Sequence, residues 1–436
     1  MTVIDEVDPE SHGGIDAMAG AAIDYELLAA EYGTPLFVYD GDRMAGSLAE
    51  LRGALPEGVE VFFSLKSNPN ISVVSLLSAH GARAEVSSLA ELHTALAAGV
   101  APGNVIFLGP GKSEEEIEAC VAARIYAVVV ESLDELADVA RLAASAGIRQ
   151  RVLLRVNPSR PPRGAGLTMG GKPRPFGIDE EVLLAAGDLA RRYRDLDIAG
   201  THAYLGTRIL DAETVVDNTR RALDLAERVA AATGVDLSAV DVGGGLGVAY
   251  FHGESDPDLQ GLREGLEPVV SAFRARHPGV RLLFESGRYL TARAGTYVVR
   301  VRYVKSSMGV RFAVVDGGTN HHMAAVGVGS FAHRDFPIVP LTDPSRPATG
   351  PWNIAGPLCT PNDTLGKNVT LPDLRPGDLL GVERSGAYGP TASPGLFLSH
   401  GFPAEVLVHD GRARLVRRRD TPHDLLRQQR HHQYGQ

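Results

Sequence analysis

EVFFSLK (residues 60–66), ARAEVSS (82–88), VIFLGP (105–110) and YAVVVES (126–132) are four short apolar runs that follow one another at near-regular spacing. They are rich in Val, Leu, Ile and Phe, as strands covered on both faces should be. Four more runs of the same kind follow: RVLLRVNP (151–158), IAGTHAYLG (198–206), AVDVGGG (239–245) and VRLLFESGR (280–288). Between them lie stretches with helical periodicity, among them SEEEIEACVAAR (113–124), SLDELADVARLAASAG (132–147) and ETVVDNTRRALDLAERVAAATG (213–234). Ser113 and Ser132 suit N-caps, and the last two stretches end in the glycine expected just past a helix. Eight strands alternating with helices is the count for a closed (β/α)8 barrel, although periodicity alone fits a doubly wound open sheet as well.

Outward from this core the texture changes. After residue 290, TYVVRVRYVKSS, VRFAVVDGG, DLLGVER and PAEVLVHDGRARLVRR are β-rich runs broken by Gly, Pro and Asp, which predicts a β-domain. TPLFVYD (34–40) reads as one more strand ahead of the barrel and a candidate to pair with that domain. The expected division is a tail over 1–25, a barrel over 41–290, a β-domain from 26–40 and 291–420, and a tail over 421–436. SRPPRGAGLTMGGKPRPFGI (159–178) is too rich in Gly and Pro for a helix and predicts a long loop after the fifth strand, a length that is usually functional or disordered.

A chain of 436 residues is too long for one ordinary domain. Its net charge of −10 argues against a nucleic-acid binder, whose footprint would be basic. A local exception is the run of Arg414, Arg417, Arg418, Arg419 and Arg427, which reads either as a solvated tail or as a patch for an acidic partner. Two cysteines, Cys120 and Cys359, are too few for a disulfide framework. The acidic N-terminus lacks a signal-peptide core, and no apolar run is long enough for a bilayer, so a cytoplasmic protein without membrane partners is expected.

Barrel enzymes place reactive groups at the C-terminal ends of their strands and often hold a phosphate after strands seven and eight. By that rule Lys66 ends strand one, Glu85 lies late in strand two, and Arg155 ends strand five. His202 and Tyr204 lie on strand six, Gly243, Gly244 and Gly245 end strand seven, and Glu285, Gly287 and Arg288 end strand eight. A lysine entering a barrel mouth is costly unless paired or neutralised, and partial desolvation would free its amine as a nucleophile. The triple glycine lets backbone N–H groups close on a phosphate, with Arg288 adding charge and Thr207 a hydroxyl.

FFSLKSNPN (62–70), GTHAYLGT (200–207), DVGGGLG (241–247), ESGRYLTARAG (285–295), GPLCTPND (356–363) and GAYG (386–389) together resemble the fold-type III pyridoxal-5′-phosphate (PLP) decarboxylases, the family of the diaminopimelate, ornithine and arginine decarboxylases. The resemblance runs over about residues 30–410 in the family's motif order. It implies an alanine-racemase-like barrel with a C-terminal β-domain, working as a homodimer with shared active sites. It further implies that Lys66 carries the cofactor, that Glu85 and Arg155 line its pocket, and that Thr207, Gly244, Gly245, Gly287 and Arg288 cup its phosphate. Glu285 would face the pyridine nitrogen, which favours loss of CO2 from Cα and disfavours a racemase. Tyr388 would close the site, and Cys359 would be the acid that the other subunit contributes.

Three departures bear on substrate. Tyr204 stands where the family usually has a histidine that stacks on the cofactor; Tyr204 stacks instead, or His202 two residues earlier does. Thr360 follows Cys359 where an acidic residue normally binds a distal ammonium, so a diamino acid loses its main anchor. His321, His322, Met323 and Ala324 stand where diaminopimelate decarboxylases carry the Arg and Tyr that grip a distal carboxylate. Adjacent histidines on a strand would point to opposite faces, so no metal site is expected there.

TNHHMA, PFGID, ESGRY and CTPND look most like a subgroup acting on amino acids tethered to carrier proteins, including the glutamyl-carrier decarboxylase of butirosin biosynthesis and the 3-methylaspartyl-carrier decarboxylase of macrolactam biosynthesis. That likeness implies an acidic aminoacyl thioester on an acyl carrier protein as substrate, in natural-product biosynthesis. Thr360 and Asp363 are then candidate substrate contacts, and Arg163, Lys172 and Arg174 candidates to meet the tether or the acidic carrier. A free amino acid decarboxylase of the same family is the alternative.

Overall fold

The computed structural model describes residues 14–20, 22–159, 167–168, 171–326 and 334–432. These fall into two compact units: Ala45–Ala249 with Glu254–Leu290, and the described residues up to Met44 with Tyr250–Gly253 and Thr291 onward.

The chain enters through β1 (Leu36–Asp40), then supplies the barrel strands β2 (Val59–Ser64), β3 (Arg83–Val86), β4 (Val105–Phe107), β5 (Ala127–Val130), β6 (Arg151–Asn157), β7 (Asp197–His202), β8 (Ala239–Gly244) and β9 (Arg281–Ser286). All eight barrel strands are parallel in the order β6, β7, β8, β9, β2, β3, β4, β5, and β5 pairs back onto β6. That closure selects the barrel over the open sheet. It follows from apolar side chains on both strand faces. Phe62, Ile106, Ala127, Val129, Leu153, Ala199, Ala239 and Leu283 are buried together in one core cluster.

The helices carry the caps that the sequence predicts. Ser113 makes a full capping box with Glu116 ahead of Glu114–Ala123, Ser132 caps Leu133–Ser145, and Gly234 ends Ala212–Thr233 in the left-handed conformation at φ 69°. At the N-terminal end of the barrel Tyr126 lies beneath two guanidiniums, Arg281 at 3.9 Å and Arg151 at 4.8 Å from its ring centre, with Arg281 paired to Glu60 and Arg151 to Asp197. Cation–π and charge pairs seal that end, where barrels keep stability rather than chemistry.

The second unit is a β-structure. Its strands after the barrel are β10 (Gly295–Ser307), β11 (Val310–Val315), β12 (Ile338–Pro340), β13 (Gly350–Ala355), β14 (Thr364–Leu371), β15 (Leu379–Glu383), β16 (Ala404–His409) and β17 (Arg412–Arg417). β1 joins this sheet, parallel to β16 and antiparallel to β10, as its apolar LFVYD pattern allows. The long β10 also pairs with β11 and β15.

Three arginines of the C-terminal run are engaged within this unit. Arg417 pairs with Asp420 and Arg418 with Asp424, while Arg419 is partly buried and donates to the Pro35 carbonyl. Arg417, Arg418 and Arg419 thus join local structure, while Arg414 and Arg427 are exposed. His321 and His322 lie beyond β11 in a turn rather than on a strand, and both are buried. His321 donates from Nε2 to the Gly401 carbonyl and its Nδ1 meets the Tyr297 hydroxyl; His322 Nε2 meets Ser385 Oγ at 2.8 Å. Burial pushes His321 down to about 4 and His322 down to about 3, so both are neutral core residues.

Candidate functional site

The barrel's C-terminal end gathers most of the sequence-predicted residues, all within the first unit. Lys66 sits just past β2, in the 3-10 turn Leu65–Ser67. Its Nζ lies 3.1 Å from Glu85 Oε2 and 5.7 Å from the centre of the Tyr204 ring. The lysine side chain is 41% exposed while Glu85 is fully buried, so the amine stands at the mouth, paired rather than desolvated as expected. Ser87 Oγ donates to the other Glu85 oxygen at 2.9 Å, which orients the carboxylate toward the lysine.

β7 ends at His202, and this decides the roles of His202 and Tyr204. His202 is still in the ladder, in register with Asp241 of β8, and its side chain is buried against Glu285 of β9, with Nε2 2.9 Å from Oε1. Tyr204 lies beyond the strand, where the alternation rule no longer applies, and is only partly buried at the mouth beside Lys66. Tyr204 is therefore the ring available for stacking, and His202 serves Glu285.

Arg155, within β6 rather than at its end, is buried with Nη1 2.7 Å from Glu131 Oε1, and its guanidinium lies 5.0 Å from the Phe176 ring centre. Glu131 also accepts from the backbone N–H groups of Gly109 and Gly177. One buried carboxylate thus ties β5 to the returning end of the 159–178 loop. Leu167–Thr168 of that loop pair antiparallel with Gly206–Thr207, which places Thr207 in a short two-residue strand beyond β7. Lys172 and Arg174 are exposed, and Asn157 holds the Lys172 carbonyl and the Gly171 N–H; Arg163 lies outside the described residues.

The glycine turn is closely packed. A Cβ on Gly245, whose φ is +86°, would lie 2.0 Å from the Gly206 carbonyl oxygen, and one on Gly244 would lie 1.8 Å from that of Glu285. A Cβ on Gly287 would meet Ser67 Oγ at 2.8 Å, beside Lys66. At Gly244 and Gly245 glycine is required because backbone meets backbone, and at Gly287 because the serine side chains of the Lys66 turn fill the space. Arg288 opens the short helix that follows Gly287 and is half-buried.

The residues fit PLP on a structural ground: Glu285 is buried and its Oε2 has no partner among the described residues, so a carboxylate oxygen is left for a protonated ring nitrogen. Lys66 would hold the aldehyde carbon, Tyr204 offers an aromatic face, and Thr207, Gly244, Gly245, Gly287 and Arg288 would hold the phosphate. His202 holds Glu285's charged form below the usual carboxylate range, against the opposing pull of burial, which is larger as a single influence.

The remaining predicted residues belong to the second unit. Cys359 is exposed and unpaired in the loop between β13 and β14, and Thr360 Oγ1 accepts from the Asn362 N–H. Tyr388 adopts a left-handed backbone, φ 54°, between β15 and β16. Asp363 differs from the expectation of a substrate contact. It is buried, accepts from Thr319 N and Oγ1 with one oxygen and from Leu358 N with the other, and so ties two loops of its own unit together.

Sequence reading missed Asp241, Glu131 and Glu91. The first two lie at or near the C-terminal ends of apolar strands, a position that could have drawn notice. Glu91 is a helix residue whose Oε2 accepts from Ser87 N at 2.8 Å. Burial, with Glu85 adding to it and the Ser87 amide opposing, pushes its carboxyl up to about 7 from an ordinary 4.5. A folded value raised in this way contributes stability that is complete below the unfolded value and is lost as pH rises through 7. Glu91→Gln is therefore expected to flatten the fall in unfolding free energy between about pH 5 and pH 8, removing up to about 3 kcal/mol of pH dependence in urea titrations. An unchanged slope would mean the group is ionised in the folded protein.

Residues 43–292 match the model of the pyridoxal-dependent decarboxylase family's pyridoxal binding domain. The chain is 37% identical over 403 residues to the L-glutamyl-[BtrI acyl-carrier protein] decarboxylase of Niallia circulans, covering 92% of this chain and 94% of that protein. It is 30% identical to the diaminopimelate decarboxylase of Helicobacter pylori strain J99, covering 92% and 97%. Among solved structures, H. pylori diaminopimelate decarboxylase complexed with L-lysine superposes with a TM-score of 0.83 at 30% identity, over 92% of this chain and 98% of that one.

Proposed function

Because the chain belongs to the fold-type III PLP-dependent decarboxylases, we propose that it removes the α-carboxylate of an acidic aminoacyl group tethered by a side-chain thioester to an acyl carrier protein. The aminoacyl group would be aspartyl, 3-methylaspartyl or glutamyl, the product a β- or γ-amino acyl carrier, and the setting natural-product biosynthesis in the cytoplasm. The observation that carries this reading is the likeness along nearly the whole chain to a decarboxylase named for a carrier-bound glutamyl group, at higher identity than to the diaminopimelate decarboxylase compared with it.

Thr360 supports it. A thioester carries no distal charge, so it needs no acidic residue after Cys359, whereas a distal ammonium buried without one would be an unpaired charge. His321 and His322, neutral and engaged in their own core, offer no grip for a distal carboxylate either.

PLP, when bound, supplies the electron sink for the pair left on Cα as CO2 departs. Lys66 would hold the cofactor, and Glu85 keeps the lysine amine aimed across the mouth. Glu285 would meet the ring nitrogen and favour its protonated form, with His202 steadying Glu285. Cys359 of a second copy would return a proton to Cα, with a homodimer as the working unit.

The test is mass spectrometry after incubating PLP-loaded protein with two substrate sets. One holds free glutamate, aspartate, 3-methylaspartate, ornithine, lysine and diaminopimelate; the other holds glutamyl and aspartyl thioesters on a phosphopantetheinylated carrier. Loss of CO2 from the thioesters alone is the expected result. Turnover of a free diamino acid would overturn the tethered-substrate reading and favour the free amino acid decarboxylase.

A further inference from the structure

His202, Asp241 and Glu285 come from the consecutive strands β7, β8 and β9, and one ligand-type atom of each lies within 4.8 Å of those of the other two. His202 and Asp241 are register partners across the β7–β8 ladder, so their side chains share a face of the sheet. Asp241 is in register with Leu283, and Glu285, two residues further on, points the same way; the ladder shifts register beyond Asp241, where the glycine turn begins. All three side chains are excluded from solvent, at 0%, 0% and 1% exposure.

Two carboxylates this close and this dry do not both ionise, because like charges in a buried site raise the cost of the second. The surroundings favour the charge on Glu285. Its Oε1 lies 2.9 Å from His202 Nε2, so an imidazole proton on that nitrogen stabilises Glu285 as the anion. Asp241 has a weaker environment for an anion. Its Oδ1 accepts from the Gly243 N–H at 2.8 Å, and its Oδ2 has no partner among the described residues.

We propose that Asp241 is the neutral, proton-bearing member of a three-residue network, in which His202 donates to Glu285 and the single negative charge is kept on Glu285. Neither His202 nor Asp241 needs to touch the cofactor for this; both are positioning residues for the carboxylate that faces the ring nitrogen. The groups facing Asp241 act in both directions, and those that favour its neutral form prevail. Burial has the largest effect in raising its carboxyl, Glu285 and Glu85 add to it, and the Gly243 amide and Lys66 oppose. Around Glu285, His202, Lys66 and Arg155 all favour the anion against burial. The inference rests on the family's use of Glu285 and holds whichever aminoacyl group is the substrate.

The test uses full-length protein freed of PLP, so it does not depend on turnover. The infrared difference between wild type and Asp241→Asn at neutral pH should show loss of a protonated-carboxyl C=O band; Asn keeps the Oδ1 acceptor for Gly243. Should that variant fold poorly, wild-type protein with 13C at its aspartate carboxyl carbons should show the same band shifting with the label and persisting into alkaline pH. Loss of a carboxylate band instead, or no label-sensitive protonated band, would overturn the proposal. Independently, His202→Leu should weaken PLP binding, followed by fluorescence quenching, by about tenfold to a hundredfold, the range for a hydrogen bond to a charged group. His202→Gln, which restores a neutral donor, should recover most of that loss. Wild-type affinity in His202→Leu would show that the histidine does not hold the anion.

Discussion

Lys66→Ala is expected to lower decarboxylation about 10⁴-fold and to abolish covalent retention of PLP after borohydride reduction. The lysine stands two residues past the end of β2, with its amine 3.1 Å from the buried Glu85 carboxylate. Alanine removes the only group in that turn that can bond to the cofactor's aldehyde carbon. The phosphate cup is untouched, so PLP should still bind noncovalently, seen as a free-aldehyde absorbance that co-elutes with the protein. Glu85, left buried without its cation, should also lower stability, read as a shift in the urea midpoint. Retention of borohydride-stable PLP in this variant would place the cofactor on another lysine and undo the assignment of the site.

Glu285→Gln is expected to weaken PLP binding and, at saturating PLP, to reduce kcat about 10²–10³-fold, on the scale seen when one preorganised electrostatic contact is removed. Glutamine matches the shape of glutamate and can still meet His202, but it carries no charge to keep a proton on the ring nitrogen. The loss should therefore fall on kcat rather than on KM, as for an interaction made where charge develops. The absorbance of the bound cofactor should change with it. A variant with full kcat would mean that CO2 loss does not depend on a protonated ring. A loss confined to KM would make Glu285 a binding residue only.

Much of this site was legible because strand ends in a barrel are a strong positional rule. Lys66, Glu85, Arg155 and Glu285 are polar residues at or near the ends of apolar runs, and the structure places each toward the C-terminal end of the barrel, Arg155 within its strand. The choice between His202 and Tyr204, in contrast, could not be made by the alternation rule. That rule holds only while the backbone stays in the ladder, and β7 leaves the ladder after His202. Asp363 did mislead. Its motif neighbours suggest chemistry, but its two oxygens are already taken by Thr319 and Leu358.

What the sequence determined by itself was periodicity and local chemistry: eight buried strands, their caps and glycine turns, and a lysine at the end of the first of them. These are properties of short segments, set by side-chain period, φ preferences and capping within a few residues. Only the tertiary structure decided that β5 returns to β6 to close the barrel, that β1 leaves the barrel's sequence neighbourhood for the second sheet, and that Glu131 holds Arg155. It likewise decided that Asp241 shares a dry pocket with Glu285 and His202. Charge on a carboxylate depends on what lies within a few ångströms and how much water reaches it. Those neighbours come from different strands, so their effect exists only once the strands are laid side by side.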